Sequence, residues 1–124
     1  VGAEKILVVD DEEDVVRAVG MRLQSAGYEV MSASDGVSAV RMAEERVPDL
    51  IILDIGMPGG DGHSVARRLR ENAETRMIPI VFLTARVAKD DMEKASGVGA
   101  AGYLMKPFKS ERLLSLVDRV IAGN

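Results

Sequence analysis

Five side chains suited to phosphoryl chemistry directly follow apolar blocks in this sequence. Asp10 and Asp11 follow Lys5–Val9, Asp54 follows Asp49–Leu53, Thr84 follows Pro79–Leu83, and Lys106 follows Gly102–Met105. A carboxylate can attack phosphorus to give an acyl phosphate. Such a transfer depends on positioning and charge neutralisation more than on proton chemistry. The Lys106 ammonium would supply charge, and the Thr84 hydroxyl a hydrogen bond to a phosphoryl oxygen. Carboxylates crowded together repel one another, a conflict that a hard divalent cation removes. Oxygen donors without histidine or cysteine suit Mg²⁺, which keeps several waters and binds beside phosphate, and argue against zinc.

Each of these residues also has a plainer reading. An Asp after a strand is commonly a turn residue or a helix cap. The run Asp11, Glu12, Glu13, Asp14 can serve the N-terminal dipole of a helix, and Thr84 can be a cap. Their joint occurrence after the first, third, fourth and fifth apolar blocks is what points to a site.

The blocks themselves predict the scaffold. Lys5–Val9, Tyr28–Ala33, Asp49–Leu53, Pro79–Leu83 and Gly102–Met105 read as short strands. Leu50–Leu53 and Ile80–Leu83 are apolar at every position, which marks strands covered on both faces. Between the blocks lie helical patterns at 13–26, 37–46, 63–72, 88–97 and 110–122. Val15, Val16, Val19, Leu23 and Ala26 share one arc of the first, and Leu113, Leu114, Val117, Val120 and Ile121 one arc of the last. Gly27 suits a left-handed stop to the first helix, and Ser110 is placed to cap the last. Five strand–helix alternations predict a doubly wound α/β fold, in which ligands bind outside the carboxyl ends of the strands. The 88–97 pattern is weakly apolar, with Met92 and Ala95 among charged residues and Gly97 and Gly99 close behind. That predicts low local stability and a moving part.

At 124 residues the chain is expected to form one domain, 1–124. It begins at Val1 and not at Met, which reads as a processed product or a fragment of a longer protein. Hydrophobic residues are 47% and aromatics 3%, so the core must be aliphatic, which counts against a stacking platform for single-stranded nucleic acid. A net charge of −4 gives no footprint for DNA or RNA, and Arg67, Arg68 and Arg70 read as a solvated helix face. The lack of cysteine excludes disulfides, thiolate metal sites and cysteine nucleophiles, and fits a reducing cytoplasm. No apolar run is long enough to span a bilayer. His63, the single histidine, reads as a surface or capping residue, and Asp61 as a turn residue.

At the residues after the strands the sequence resembles the receiver domain of bacterial two-component response regulators. Ile6 to Glu12 resembles that family's first strand and acidic pair. Asp54 to Gly62, with Met57-Pro58 and Asp61-Gly62 in place, resembles its phosphoacceptor and following loop. Leu83-Thr84-Ala85 resembles its hydroxyl switch segment, and Gly99-Ala100 with Tyr103 to Phe108 its fifth strand and end. The resemblance implies a flavodoxin-like five-stranded parallel sheet of order 2-1-3-4-5 with five helices. It implies a cytoplasmic signalling switch that phosphorylates and dephosphorylates only its own Asp54, taking the phosphoryl group from a histidine kinase or phosphotransfer protein. Asp11, Asp54 and the Gly56 carbonyl would hold Mg²⁺, with Asp10 acting directly or through water. Thr84 and Lys106 would bind the phosphoryl group, and Tyr103 would turn inward when Thr84 moves. Val15 and Ala18 would meet the kinase. The face made by the 88–97 helix, the fifth strand and the last helix would meet an output domain or a second copy on phosphorylation. A cis peptide is expected before Pro107. Gly56 and Arg86 depart from the side chains common beside the family's phosphoryl site and bear on the acyl-phosphate lifetime, and Ala101 and Gly102 replace common acids.

Three rival readings fit less well. A Mg²⁺-dependent phosphatase of the haloacid dehalogenase type also forms an aspartyl phosphate, but it needs a second Asp where this chain has Gly56. A degenerate receiver serving only as an interaction module would not keep all five site residues. A nucleotide or flavin binder would need a glycine- or hydroxyl-rich loop where this chain has Asp10 to Asp14.

Overall fold

The two wholly apolar blocks become the buried centre of a sheet. The structure is a computed structural model and describes residues 3–57, 62–85, 97 and 99–123. In it β3 (Leu50–Asp54) and β4 (Ile80–Thr84) are buried at every position. With β1 (Lys5–Val9), β2 (Glu29–Ala33) and β5 (Gly102–Met105) they form a five-stranded parallel sheet in the order β2-β1-β3-β4-β5. This is the flavodoxin-like order. Tyr28, Asp49 and Pro79 precede their strands, whereas Asp54 and Thr84 are the last residues of theirs. The shift has a backbone cause. Ile55 N–H donates to the Leu83 carbonyl at 3.0 Å and Lys106 N–H to that of Thr84 at 2.7 Å, so the ladder continues one residue beyond the apolar run.

Alternate side chains serve opposite faces of the sheet. Ile6, Val8, Leu50, Ile52, Val81, Leu83 and Leu104 pack under α1 (Glu13–Ser25) and α4 (Ser110–Ile121). Leu7, Val9, Ile51, Leu53, Ile80 and Phe82 pack under α2 (Gly36–Arg46) and α3 (Gly62–Glu71). There are four helices among the described residues. The helix expected at 88–97, with Met92 and Ala95, lies outside the described residues apart from Gly97, as do Arg86 and the 58–61 stretch with Asp61.

On α1 the buried positions are Val19, Gly20 and Leu23, while Val15 and Val16 are half-buried and Ala26 is exposed beyond the helix end. On α4 they are Leu113, Val117 and Leu116, the last outside the expected arc. Gly27 takes φ +97°, the left-handed turn that glycine permits. Two readings need correction. Ser110 does not cap α4: it is the first helical residue, and the cap position is Lys109, whose side chain makes no capping bond. Arg67 and Arg68 are exposed, but Arg70 is half-buried and donates to the carbonyls of Arg76 at 2.9 Å and Ile78 at 2.7 Å. It braces the turn that leads back into β4 instead of lying in solvent. The sequence reading also missed Asp35, which caps α2 by accepting from Ser38 N–H at 2.8 Å. The Lys106–Pro107 peptide is cis, as expected. No described helix is long and apolar enough to cross a membrane.

Candidate functional site

Because all five strands run parallel, the residues at their carboxyl ends share one edge of the sheet. Asp10 leaves β1, Asp54 and Thr84 end β3 and β4, and Lys106 leaves β5. Asp10, Asp54 and Thr84 are buried, while Asp11 is exposed. One carboxylate oxygen from each of Asp10, Asp11 and Asp54 lies within 4.8 Å of the others. Asp11, Asp54, Gly56, Thr84 and Lys106 line a single cleft, together with Glu12, Ile55 and Ala85.

Among the described residues, the Lys106 ammonium is the cation of this cluster. Its Nζ lies 2.8 Å from Asp10 Oδ2, 3.6 Å from Glu12 Oε1 and 3.7 Å from Asp54 Oδ1. Asp10 is thus its partner, and Asp54 keeps only a looser contact. Asp10 Oδ1 also accepts from Glu12 N–H at 2.9 Å. Asp54 Oδ1 receives a long bond, 3.4 Å, from Gly56 N–H.

The electrostatics follow from these distances. Burial first, then the Asp10 carboxylate, pushes the Asp54 carboxyl above its ordinary value, against the opposing pull of Lys106 and the Gly56 amide. Burial disfavours the Lys106 ammonium, but the hydrogen bond and charge of Asp10, with Asp54 and Glu12, outweigh it and raise the lysine's pKa. Among the described residues, Asp10 therefore has a closer cation than Asp54. An all-oxygen donor set of three carboxylates, one of them under strain from a like charge, fits a hard divalent ion.

Asp54 is held from behind. Gly62, at the start of α3, donates its N–H to the Ile55 carbonyl at 2.8 Å. A Cβ at Gly62 would lie 2.5 Å from the Asp54 carbonyl oxygen and 2.9 Å from Ile55 Cα. Those are backbone atoms and cannot rotate away. Gly62→Ala is expected to destabilise the fold by about 1–3 kcal/mol, more than helix propensity returns. It should also displace Asp54 and slow its chemistry. Unchanged melting in a denaturant titration would show that the close approach does not matter.

The remaining expected site residues lie on β5 and α1. Tyr103 in β5 is half-buried, with its ring centroid 5.9 Å from that of Phe82. Val15 is half-buried and Ala18 exposed on α1, which starts just after the acidic pair. His63 corrects the sequence reading: it is 2% exposed, and its ring centroid lies 5.2 Å from that of Phe82. With no Cβ at Gly62, α3 starts close against the end of β3, and that approach carries the next side chain inward. Glu12 and Gly62 were not recognised as parts of the site. The Asp61-Gly62 pair was the available signal for Gly62, since a glycine opening a helix beside the site suggests a close backbone approach.

The family model of the response regulator receiver domain matches residues 6–118. The chain belongs to this family. It is 40% identical over 118 residues to the alkaline phosphatase synthesis transcriptional regulatory protein PhoP of Bacillus subtilis, a match that covers 95% of this chain and 48% of PhoP. The chain thus spans about half the length of that relative. The receiver fold superposes on chemotaxis protein CheY4 of Vibrio cholerae with TM-score 0.92 and 36% identity, covering 96% of this chain and 99% of the other. It also superposes on the receiver domain of a sensor histidine kinase from Pseudomonas aeruginosa, with TM-score 0.89 and 36% identity over 98% and 99% of the two chains. That neighbour was solved with a magnesium ion coordinated in its active-site cleft. Receiver domains are signalling switches that act with histidine kinases and output domains, and this chain shares their sheet order and their acidic edge.

Proposed function

We propose that the chain is one receiver unit, 1–124, in which Asp54 accepts a phosphoryl group and thereby changes a binding surface. The observation that carries this reading is the position of Asp54. Its carboxylate is buried at a strand end, clustered with Asp10 and Asp11 and 3.7 Å from Lys106, in the cleft that Thr84 also lines. An Asp54 oxygen attacks the phosphorus of a phosphohistidine, the P–N bond breaks, and its electron pair returns to the imidazole. Lys106 and Thr84 then hold the phosphoryl oxygens by charge and hydrogen bond.

Mg²⁺ held by Asp10, Asp11, Asp54 and the Gly56 carbonyl would neutralise charge on the transferred group. The all-oxygen donor set and the magnesium ion of the Pseudomonas receiver support that assignment. The chain turns over no other substrate. It acts in the cytoplasm, on the donor side with a histidine kinase or phosphotransfer protein. On the output side it meets a partner domain or a second copy through the face that contains β5 and α4.

Beryllofluoride, a phosphoryl mimic, tests the switch. Added with Mg²⁺, it should move amide signals at the metal site and also those of Thr84 and Tyr103. Shifts confined to the carboxylates would leave Asp54 an acceptor without a switch. Docking has a separate test. Ala18 is exposed on α1 close to the acidic pair, so Ala18→Glu should slow transfer from the cognate kinase about tenfold or more while leaving acetyl phosphate labelling unchanged. Equal loss with both donors would mean damage to the fold.

A further inference from the structure

His63 takes no part in the phosphoryl or metal chemistry, yet it is almost fully buried beside the site. It follows Gly62, the residue whose N–H bonds the Ile55 carbonyl and whose Cα lies against the Asp54 backbone. Its ring meets Phe82 at 5.2 Å between centroids with planes inclined 44°. Phe82 in turn meets Tyr103 at 5.9 Å and 33°. Both distances lie in the range where tilted aromatic rings attract. Phe82 is fully buried and sits across from Leu53 in β3 and from Tyr103 in β5. Two residues on, along the same face of β4, is Thr84.

Three flat rings therefore cross the sheet from the start of α3 to the edge strand. The rest of this face is built mainly of aliphatic side chains, and the chain has only two Phe and two Tyr in all. In a close-packed layer a rigid ring does not tilt without its neighbour moving. One end of the row follows Gly62, whose N–H bonds the carbonyl of Ile55 beside the phosphoacceptor, and the other end is Tyr103.

We propose that His63 is a positioning residue of the switch: its ring sets the seat of Phe82, and through it that of Tyr103, so that the Asp54–Gly62 backbone and the edge strand respond together. This rests on the reading of Asp54 as phosphoacceptor and Tyr103 as a switch residue. An aliphatic residue of similar volume would fill the space but present no flat face to Phe82.

The test uses the whole chain with ring-labelled histidine and tyrosine, with and without beryllofluoride and Mg²⁺. In the parent, His63 and Tyr103 ring signals should shift together. In His63→Leu the Tyr103 displacement should fall by about half or more, acetyl phosphate labelling of Asp54 should stay within about twofold of the parent, and His63→Phe should restore the displacement. A stationary His63 ring while Tyr103 moves in the parent overturns the proposal without any variant. So does a full Tyr103 displacement in His63→Leu, or a His63→Phe variant no better than Leu. If Tyr103 itself stays still in the parent, the switch reading fails first and takes this inference with it.

Discussion

Asp54→Asn is expected to melt at a higher temperature than the parent in metal-free buffer and to lose most of the stabilisation that Mg²⁺ gives the parent. The physical reason is the carboxyl's environment. Burial and the Asp10 carboxylate raise the Asp54 pKa above 3.8. A carboxyl that binds its proton more tightly in the folded chain is weakened as a fold contributor by ionisation. The penalty is absent below pH 3.8, develops as pH rises from there toward the folded value, and is complete above that value. Asparagine keeps the shape and removes the charge. At pH 7 the gain should be on the order of 1 kcal/mol, roughly 3–6 °C, and it should shrink as pH falls toward 3.8. Millimolar Mg²⁺ should raise the parent's melting temperature by linkage and raise the variant's far less. Calorimetry checks both. Equal responses of the two chains to Mg²⁺ would remove Asp54 from the metal site.

Lys106→Met should have the largest combined effect. Lys106 Nζ pairs with the buried Asp10 at 2.8 Å and is the ammonium nearest Asp54 among the described residues. Its loss leaves the buried Asp10 carboxylate, which also accepts from the Glu12 amide, without its cation, at a cost of about 3 kcal/mol. Removing a preorganised cation from a phosphoryl site should also slow acetyl phosphate labelling about 10²-fold or more. The pH dependence has a definite sign. The folded pKa of Lys106 is raised, so its contribution is whole below 10.5 and is lost as pH rises through the folded value. The parent should therefore lose stability in that alkaline window, and Lys106→Met should lose less. Unfolding curves and labelling rates across pH measure the effect. A variant as stable and as fast as the parent would show that the ion pair is incidental.

How much the sequence disclosed depended on what each residue answers to. The centres of β3 and β4 were legible because a strand covered on both faces must be apolar at every position. Their last residues were not, because the bonds of Ile55 and Lys106 to the neighbouring strand involve only backbone. The site residues were legible as a set because a parallel sheet gathers strand ends at one edge. The pairing within the set was not: a list of charges cannot say that Lys106 sits closer to Asp10 than to Asp54. His63 was misread because the Asp61-Gly62 pair before it looks like a surface turn. The close approach of Gly62 to β3 instead sends the next residue into the core. Arg70 was misread for a similar reason, since only the folded chain brings the carbonyls of Arg76 and Ile78 within its reach.

The central claim is that Asp54 itself takes the phosphoryl group. Mass spectrometry of the intact chain and its peptides, after incubation with acetyl phosphate and Mg²⁺, tests it most directly. A gain of one phosphoryl group is expected, carried on the peptide containing Asp54, absent when Mg²⁺ is chelated and absent in Asp54→Asn. A gain that persists in Asp54→Asn, or one that maps to another residue, would contradict it.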